Sequence, residues 1–270
     1  MQATAQELFD AGQLADAVRA QTEIVRAKPS DREARFVLFA LLAFAGDLER
    51  GEKQLEALGI GGTAAVEMQT LLYRSLLVAE AHRREVWAGR ERPFLAPDAP
   101  AALGLRADAL TRLAAGDAAA ASALLDQANA AAAAVSGTLN GKLFDQLRDC
   151  DDIGAALLEV FARGQCVWLS LDQVRRLEVQ QPVSLLDLLW PSARLLDARG
   201  NDAVVHLPAL YAGSHAHADD AHRAGRVTSW EEIPGLGAAR GAGQKIWLAV
   251  RGDEESECAL LDVRSLVVNS

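Results

Sequence analysis

The sequence has few cysteines and no excess of basic residues. The 270 residues include only three cysteines, Cys150, Cys166 and Cys258, and no Cys-x-x-Cys spacing. An odd number of widely spaced cysteines supports neither a zinc knuckle nor a disulfide framework, so we expect reduced thiols. The formal net charge is −10, which leaves no basic stripe to displace counterions from a phosphate backbone. We therefore expect no nucleic-acid partner.

Long apolar runs are also missing. The longest run covers residues 36–45, whereas a helix needs about 20 apolar residues to span a bilayer. The first ten residues have neither the basic segment nor the apolar segment of an export signal. These absences predict a cytoplasmic protein with no membrane partner.

Repeated glycines organise the first half of the sequence. Gly12 and Gly46 are 34 residues apart, and Leu14 and Leu48 repeat this offset. This is the period of tetratricopeptide repeats. Glycine suits the turn between two helices because it adopts positive φ without strain. With a third copy of the pattern at Gly116, the period predicts helical hairpins.

Helical and strand patterns divide the chain. The helical period predicts two hairpins over residues 4–58, a long helix over 63–87, and helices over 101–115 and from 117 to about 135. Pro93, Pro97 and Pro100 predict a loop before the last two. Further on, we expect a helix over 152–162 and strands over residues 166–171, 193–197, 203–207, 245–250 and 259–263.

The fold class that follows is α+β. Tetratricopeptide-like helical repeats precede a strand-rich domain with a mixed or antiparallel sheet, because alternating βα units are absent. We expect a helical repeat domain at 1–135, a linker and helix at 136–164, and the strand-rich C-terminal domain at 165–270.

The helix predicted over residues 36–45 is apolar on every face, unlike the outer helix of a two-layer array. It is either completely buried or forms part of an apolar groove that accepts an amphipathic helix. For the second alternative, the repeat pattern predicts a partner-binding concave face made of Phe9, Glu33, Phe36, Ala40, Phe44, Leu103, Arg106 and Leu110.

One histidine cluster offers a metal-binding alternative. His215, His217 and His222, with two aspartates between them, could ligate zinc or nickel. The alanine- and aspartate-rich composition around them favours an exposed loop instead. The glycine-rich residues 235–245 lack the order of a phosphate-binding loop and predict a connection between strands.

Neither the acidic residues nor any known catalytic motif predicts an enzyme active site. Asp149, Asp151 and Asp152 could form an acidic site, but we expect them to cap a helix that begins near Ile153. No nucleophile elbow or zinc-protease motif is present. We therefore expect no catalytic, cofactor-binding or metal-binding residues.

Six stretches of the second half stand out together: residues 137–141 with Phe144, 149–152, 185–190 with Ala193, 207–214, 226–230 and 241–244. In their order and spacing they resemble the ImpE/TagJ (SciE-type) family of bacterial type VI secretion accessory proteins, and the resemblance extends over nearly the whole chain.

This resemblance implies a non-enzymatic adaptor. Such a protein would bind the short N-terminal helix of the small sheath subunit and associate with the AAA+ ATPase that disassembles contracted sheaths. Two alternatives stay open: a metal-dependent enzyme that uses the histidine cluster, and a generic tetratricopeptide scaffold unrelated to secretion.

Overall fold

Seven helices occupy the first half of the described chain. The structure is a computed structural model that describes residues 3–96 and 98–269, so the predicted loop residue Pro97 lies outside it. The helices are α1 (Ala5–Asp10), α2 (Leu14–Ala27), α3 (Arg32–Phe44), α4 (Leu48–Gly59), α5 (Ala64–Trp87), α6 (Ala101–Ala114) and α7 (Ala118–Ala131). The two predicted hairpins and the long helix are confirmed, although α7 ends before residue 135. No described helix combines the length and apolar character needed to cross a membrane.

The three repeat glycines adopt the same turn geometry. Gly12, Gly46 and Gly116 have φ of +74°, +78° and +77°. Each glycine N–H donates a hydrogen bond to the carbonyl three residues earlier, at 2.9 to 3.1 Å. After the second and third turns, the Asp47 and Asp117 carboxylates accept hydrogen bonds from backbone N–H groups at the start of α4 and α7. The predicted reason for the glycines is therefore confirmed.

Short antiparallel strands dominate the second half. The strands are β1 (Gly137–Leu139), β2 (Lys142–Phe144), β3 (Gln146–Asp149), β4 (Leu157–Ala162), β5 (Gln165–Ser170), β6 (Val174–Val179), β7 (Ser192–Asp197), β8 (Asp202–His206), β9 (Ser229–Glu232), β10 (Ala239–Ala242), β11 (Ile246–Arg251), β12 (Glu254–Ala259) and β13 (Ser265–Val268). A short helix, α8 (Asp220–Arg223), precedes β9.

These strands form three sheets. The largest has the order β2-β1-β13-β6-β7-β8-β4-β5, the second pairs β9 with β10, and the third has the order β12-β11-β3. All of the pairs within the sheets are antiparallel. The α+β fold class is thus confirmed, with an antiparallel rather than mixed second half.

Two secondary-structure predictions are wrong. Residues 152–162 form a turn and then strand β4, which is buried along Leu157–Phe161 on both faces. In a short run of buried residues, the spacing of apolar side chains does not distinguish a strand from a helix. Residues 259–263 are not a strand either, because β12 ends at Ala259 and a 3₁₀ turn follows at Leu260–Asp262.

The helices share a hydrophobic cluster with strands β4 and β5 of the largest sheet, and other residues of that sheet form a second cluster. Leu76, Val86 and Trp87 of α5 belong to the same buried cluster as Phe161 of β4 and Trp168 of β5. The segment before α6 also reaches β5: the Phe94 N–H donates to the Cys166 carbonyl, and the Trp168 N–H donates to the Phe94 carbonyl, both at 3.0 Å. The division of the chain at 1–135, 136–164 and 165–270 stays a prediction.

Candidate functional site

An open groove runs between α1 and α2. It encloses about 700 Å³, and Leu8 of α1 and Ala20, Ile24 and Ala27 of α2 provide its apolar lining. The Ile24 side chain is 44% exposed. We call this surface, made by α1 and α2, the terminal groove. Its remaining lining is Ala3, Thr4, Ala5, Asp16, Arg19 and Glu23.

The sequence of α2 explains why the terminal groove is apolar. One stripe of the helix, including Leu14, Ala17 and Val25, is buried in the repeat interior. Ala20 and Ile24 lie beside this stripe at helical spacing, which gives α2 a second apolar side. Within residues 3–96 and 98–269, this second side stays open at Ile24, whereas Ala20 is partly buried. A helix with two apolar sides is the sequence signal for two neighbours.

The structure places most of the predicted partner-binding residues in the interior. Six of them are 2% exposed or less: Phe9, Ala40, Phe44, Leu103, Arg106 and Leu110. The Phe9 and Phe44 rings pack edge to face with centroids 4.9 Å apart. These six side chains pack in the interior and do not line an open groove in this structure, and their contact with a partner stays a prediction. The sequence left complete burial open as the other explanation for the apolar residues 36–45, and most of α3 is indeed buried.

Arg106 has a structural role in this interior. Its guanidinium donates to the Ile153 carbonyl at 2.7 Å and to the Asn129 side-chain oxygen at 2.6 Å. Burial lowers the pKa of Arg106 to about 10. The side chain thus connects α6 with α7 and with the turn before β4.

Two predicted residues keep accessible surface. Glu33 is exposed, and Phe36 is partly buried, with its ring 5.5 Å from that of Tyr73. Contact of Glu33 and Phe36 with a partner stays a prediction.

A buried carboxylate holds α5 against the sheets. The Glu159 side chain on β4 has no exposed surface and contacts Arg83 at 3.0 Å and Lys245 at 2.7 Å. It also accepts hydrogen bonds from the indole N–H groups of Trp87, at 2.5 Å, and Trp168, at 3.3 Å. Burial alone raises the pKa of Glu159, but the Arg83 and Lys245 charges overcome this effect and hold it well below its usual range. We call these five residues the Glu159 cluster.

Comparison with known proteins identifies the family. The ImpE protein family matches residues 141–267. The type VI secretion system accessory component TagJ of Pseudomonas aeruginosa is 39% identical over 263 residues, which cover 97% of this chain and 90% of that protein. The chain belongs to the ImpE/TagJ family. This membership supports an accessory role in type VI secretion.

A solved structure shares the whole ImpE/TagJ fold. The crystal structure of protein VPA1032 from Vibrio parahaemolyticus matches with a TM-score of 0.88 and covers 98% of this chain and 97% of that one. Its sequence identity is 22%, so this likeness shows the fold alone.

Residues that carry the ImpE/TagJ resemblance have packing roles. The Tyr211 hydroxyl donates a hydrogen bond to Asp149 at 2.8 Å. A Cβ atom at Gly241 would lie 2.3 Å from the Tyr211 ring, so only glycine fits there. The glycine-rich segment therefore packs directly against the Tyr211 ring. Its Lys245 side chain donates a hydrogen bond to Glu159 and does not form part of a phosphate-binding loop.

The aspartates at and after the end of β3 stabilise a turn and not a helix. Asp151 accepts hydrogen bonds from the N–H groups of Ile153 and Gly154, both at 3.0 Å. Burial raises the pKa of Asp149 to about 6. The predicted helix cap is wrong because no helix begins at Ile153, although the carboxylates do satisfy backbone donors.

The three histidines do not form one ligand set. The His217 and His222 rings stack with centroids 3.9 Å apart, and the His222 Nε2 atom lies 3.0 Å from the Ser229 hydroxyl. His215 instead lies against Gly46. The described residues contain no group of three or more histidine, cysteine, aspartate or glutamate side chains placed to hold a metal ion. The prediction that these histidines lie in an exposed loop is only partly confirmed, because His222 is buried.

Proposed function

We propose that this chain is a non-enzymatic cytoplasmic adaptor of type VI secretion whose terminal groove binds a short amphipathic helix. The proposed ligand is the N-terminal helix of the small sheath subunit. The chain would link that helix to the AAA+ ATPase that disassembles contracted sheaths. The observation that carries the proposal is the open apolar side of α2.

Repeat stacking favours a helix as the ligand. Each hairpin of a repeat array buries one face against the next. The groove side of α1 and α2 is open among the described residues and offers such a face. A helix with an apolar stripe would cover Leu8, Ala20 and Ile24 as another repeat helix would. The rim contains both signs of charge, with Arg19 paired to Asp16 at 2.5 Å and Glu23 paired to Arg26 at 2.6 Å. Apolar contacts would therefore provide most of the affinity.

The test is calorimetric titration of the full chain with a synthetic peptide of the sheath-subunit helix. Ile24→Asp places a charge among the apolar groove residues and should weaken binding by at least about tenfold. Val183→Asp is the matched control, because Val183 is 92% exposed and does not line the groove. This control should bind as the wild type does.

Other outcomes would relocate or remove the site. If Ile24→Asp binds the peptide with wild-type affinity, the terminal groove is not the binding site. Weaker binding in Phe36→Ala but not in Ile24→Asp would instead favour the outer side of α3. The ATPase link needs a separate measurement, in which the purified ATPase is added to the formed peptide complex. Absence of a three-part complex by size-exclusion chromatography would contradict the linking role.

A further inference from the structure

Arginine side chains line a second cavity, which lies beside the end of α5. It encloses about 370 Å³. We name it the arginine cavity after Arg84, Arg90 and Arg240. Its other lining residues are Glu85, Trp87, Ala88, Ala212, Gly213 and His215. Three arginines and one glutamate give this lining a formal charge of about +2, in a chain whose net charge is −10.

Arg240 has unused hydrogen-bonding capacity. Its guanidinium carbon lies 5.1 Å from the centroid of the Trp87 ring, so the planar group is supported by an aromatic face. Within residues 3–96 and 98–269, no group accepts a hydrogen bond from this side chain. The Asp151 carboxylate, whose charge acts on Arg240, accepts hydrogen bonds from the backbone N–H groups of Ile153, Gly154 and Gly241 instead. Burial lowers the pKa of Arg240, and an arginine remains charged nonetheless.

The other lining groups differ in their partners. Arg84 donates to Glu80 at 3.1 Å and to the Gly46 carbonyl at 2.9 Å. Arg90 pairs with Glu85 at 2.5 Å, and its side chain is 62% exposed. Burial and the neighbouring arginine charges lower the pKa of His215 to about 4, so its ring is neutral at pH 7. Arg240 is thus the cation with the most free donors.

We propose that the arginine cavity binds an oxyanion, a carboxylate or phosphate group, through the guanidinium of Arg240. A planar guanidinium presents donors in pairs that match two oxygens of such a group. The Trp87 ring supports the guanidinium plane, and Arg90, although paired with Glu85, contributes to the net positive charge of the lining. The same chemistry would recognise an acidic side chain of a partner protein or a free phosphate.

The experiment uses two probes on the full chain at pH 7.5. Inorganic phosphate and a capped tetraglutamate peptide are titrated by calorimetry, each at an ionic strength held constant with chloride. Arg240→Gln should weaken saturable binding by about tenfold or more, and Arg90→Gln by severalfold. Arg251→Gln removes the same charge from an exposed position outside the cavity, so its affinity should stay within about twofold of the wild type.

The two probes distinguish the source of the anion. Tighter binding of the peptide supports a protein-borne carboxylate, and binding of phosphate alone supports a free anion. Saturable binding of neither probe, or equal weakening by Arg251→Gln and Arg240→Gln, would overturn the proposal. If circular dichroism shows that Arg240→Gln is unfolded, Arg90→Gln decides the question, because the Arg90 side chain is 62% exposed and we expect its loss to leave the chain folded.

Discussion

Glu159→Gln tests whether the Glu159 cluster holds the helices to the sheets. The substitution keeps the shape of the side chain but removes its negative charge. Arg83 and Lys245 would then remain buried, with Glu80 as the only other carboxylate within salt-bridge distance of Arg83 among the described residues. Removing one partner of a buried ion pair leaves an uncompensated charge in the interior.

The expected loss is large compared with the stability of a typical domain. Breaking a buried pair costs roughly 3–5 kcal/mol, and domains are stable by about 5–15 kcal/mol. The matched control is Asp202→Asn, which breaks the pair with Arg194. These side chains are 62% and 41% exposed, so solvent screens the pair and the unfolding midpoint should change little.

The effect should depend on pH in a defined direction. The pKa of Glu159 is lowered in the folded chain from its ordinary value of 4.5. A lowered carboxyl pKa stabilises the fold at pH values above 4.5, and this contribution decreases as the pH falls toward the folded-state pKa. The difference in unfolding free energy between the wild type and Glu159→Gln should therefore become smaller below about pH 4.5.

Urea unfolding measures both effects. Far-ultraviolet circular dichroism and tryptophan fluorescence would follow the transition at pH 7.5 and at pH 4. A loss smaller than about 1 kcal/mol at pH 7.5 would refute the reasoning. It would mean that water or a rearranged side chain compensates the two cations.

Two further predictions concern single residues. Gly46→Ala should destabilise the fold more than Gly116→Ala, although both glycines have nearly the same positive φ. A Cβ atom at Gly46 would lie 2.6 Å from His215, whereas none of the described atoms lies within 4 Å of one at Gly116; Gly116→Ala should thus report backbone strain alone, about 1 kcal/mol. Equal losses in urea unfolding would show that His215 moves aside freely. Burial raises the pKa of Cys166 well above its usual value and raises the pKa of Cys150 to about 11. Both thiols should therefore be protonated at pH 8, and Ellman's reagent should react slowly with the native chain. We expect it to react with Cys166 only after unfolding. Rapid reaction of Cys166 in the native chain would contradict this assignment.

Local requirements explain which elements could be predicted from the sequence. The turns at Gly12, Gly46 and Gly116 need positive φ, a property of the residue itself. The 24 residues of α5 are long enough for the helical period to be recognised. For β7 and β8, the turn residues Gly200 and Asn201 between them mark the hairpin. In each case the deciding interaction lies within a few residues of the chain.

Strand β4 shows where local reasoning fails. Its buried run contains Glu159, and nothing in that short stretch distinguishes a helix from a strand. Pairing with β5 and β8, together with the cations of Arg83 and Lys245, decides the conformation. Those partners lie far away in the sequence, so only the folded chain brings them together.

The same distinction applies to the candidate site. The sequence alone determined that the first half consists of helical repeats with more apolar surface than one face requires. It did not determine which apolar side chains stay accessible. Phe44 is buried because the ring of Phe9 packs against it, whereas Ile24 is exposed on the groove side of α2. Accessibility depends on all neighbours of a side chain at once, and only the tertiary structure sets those neighbours.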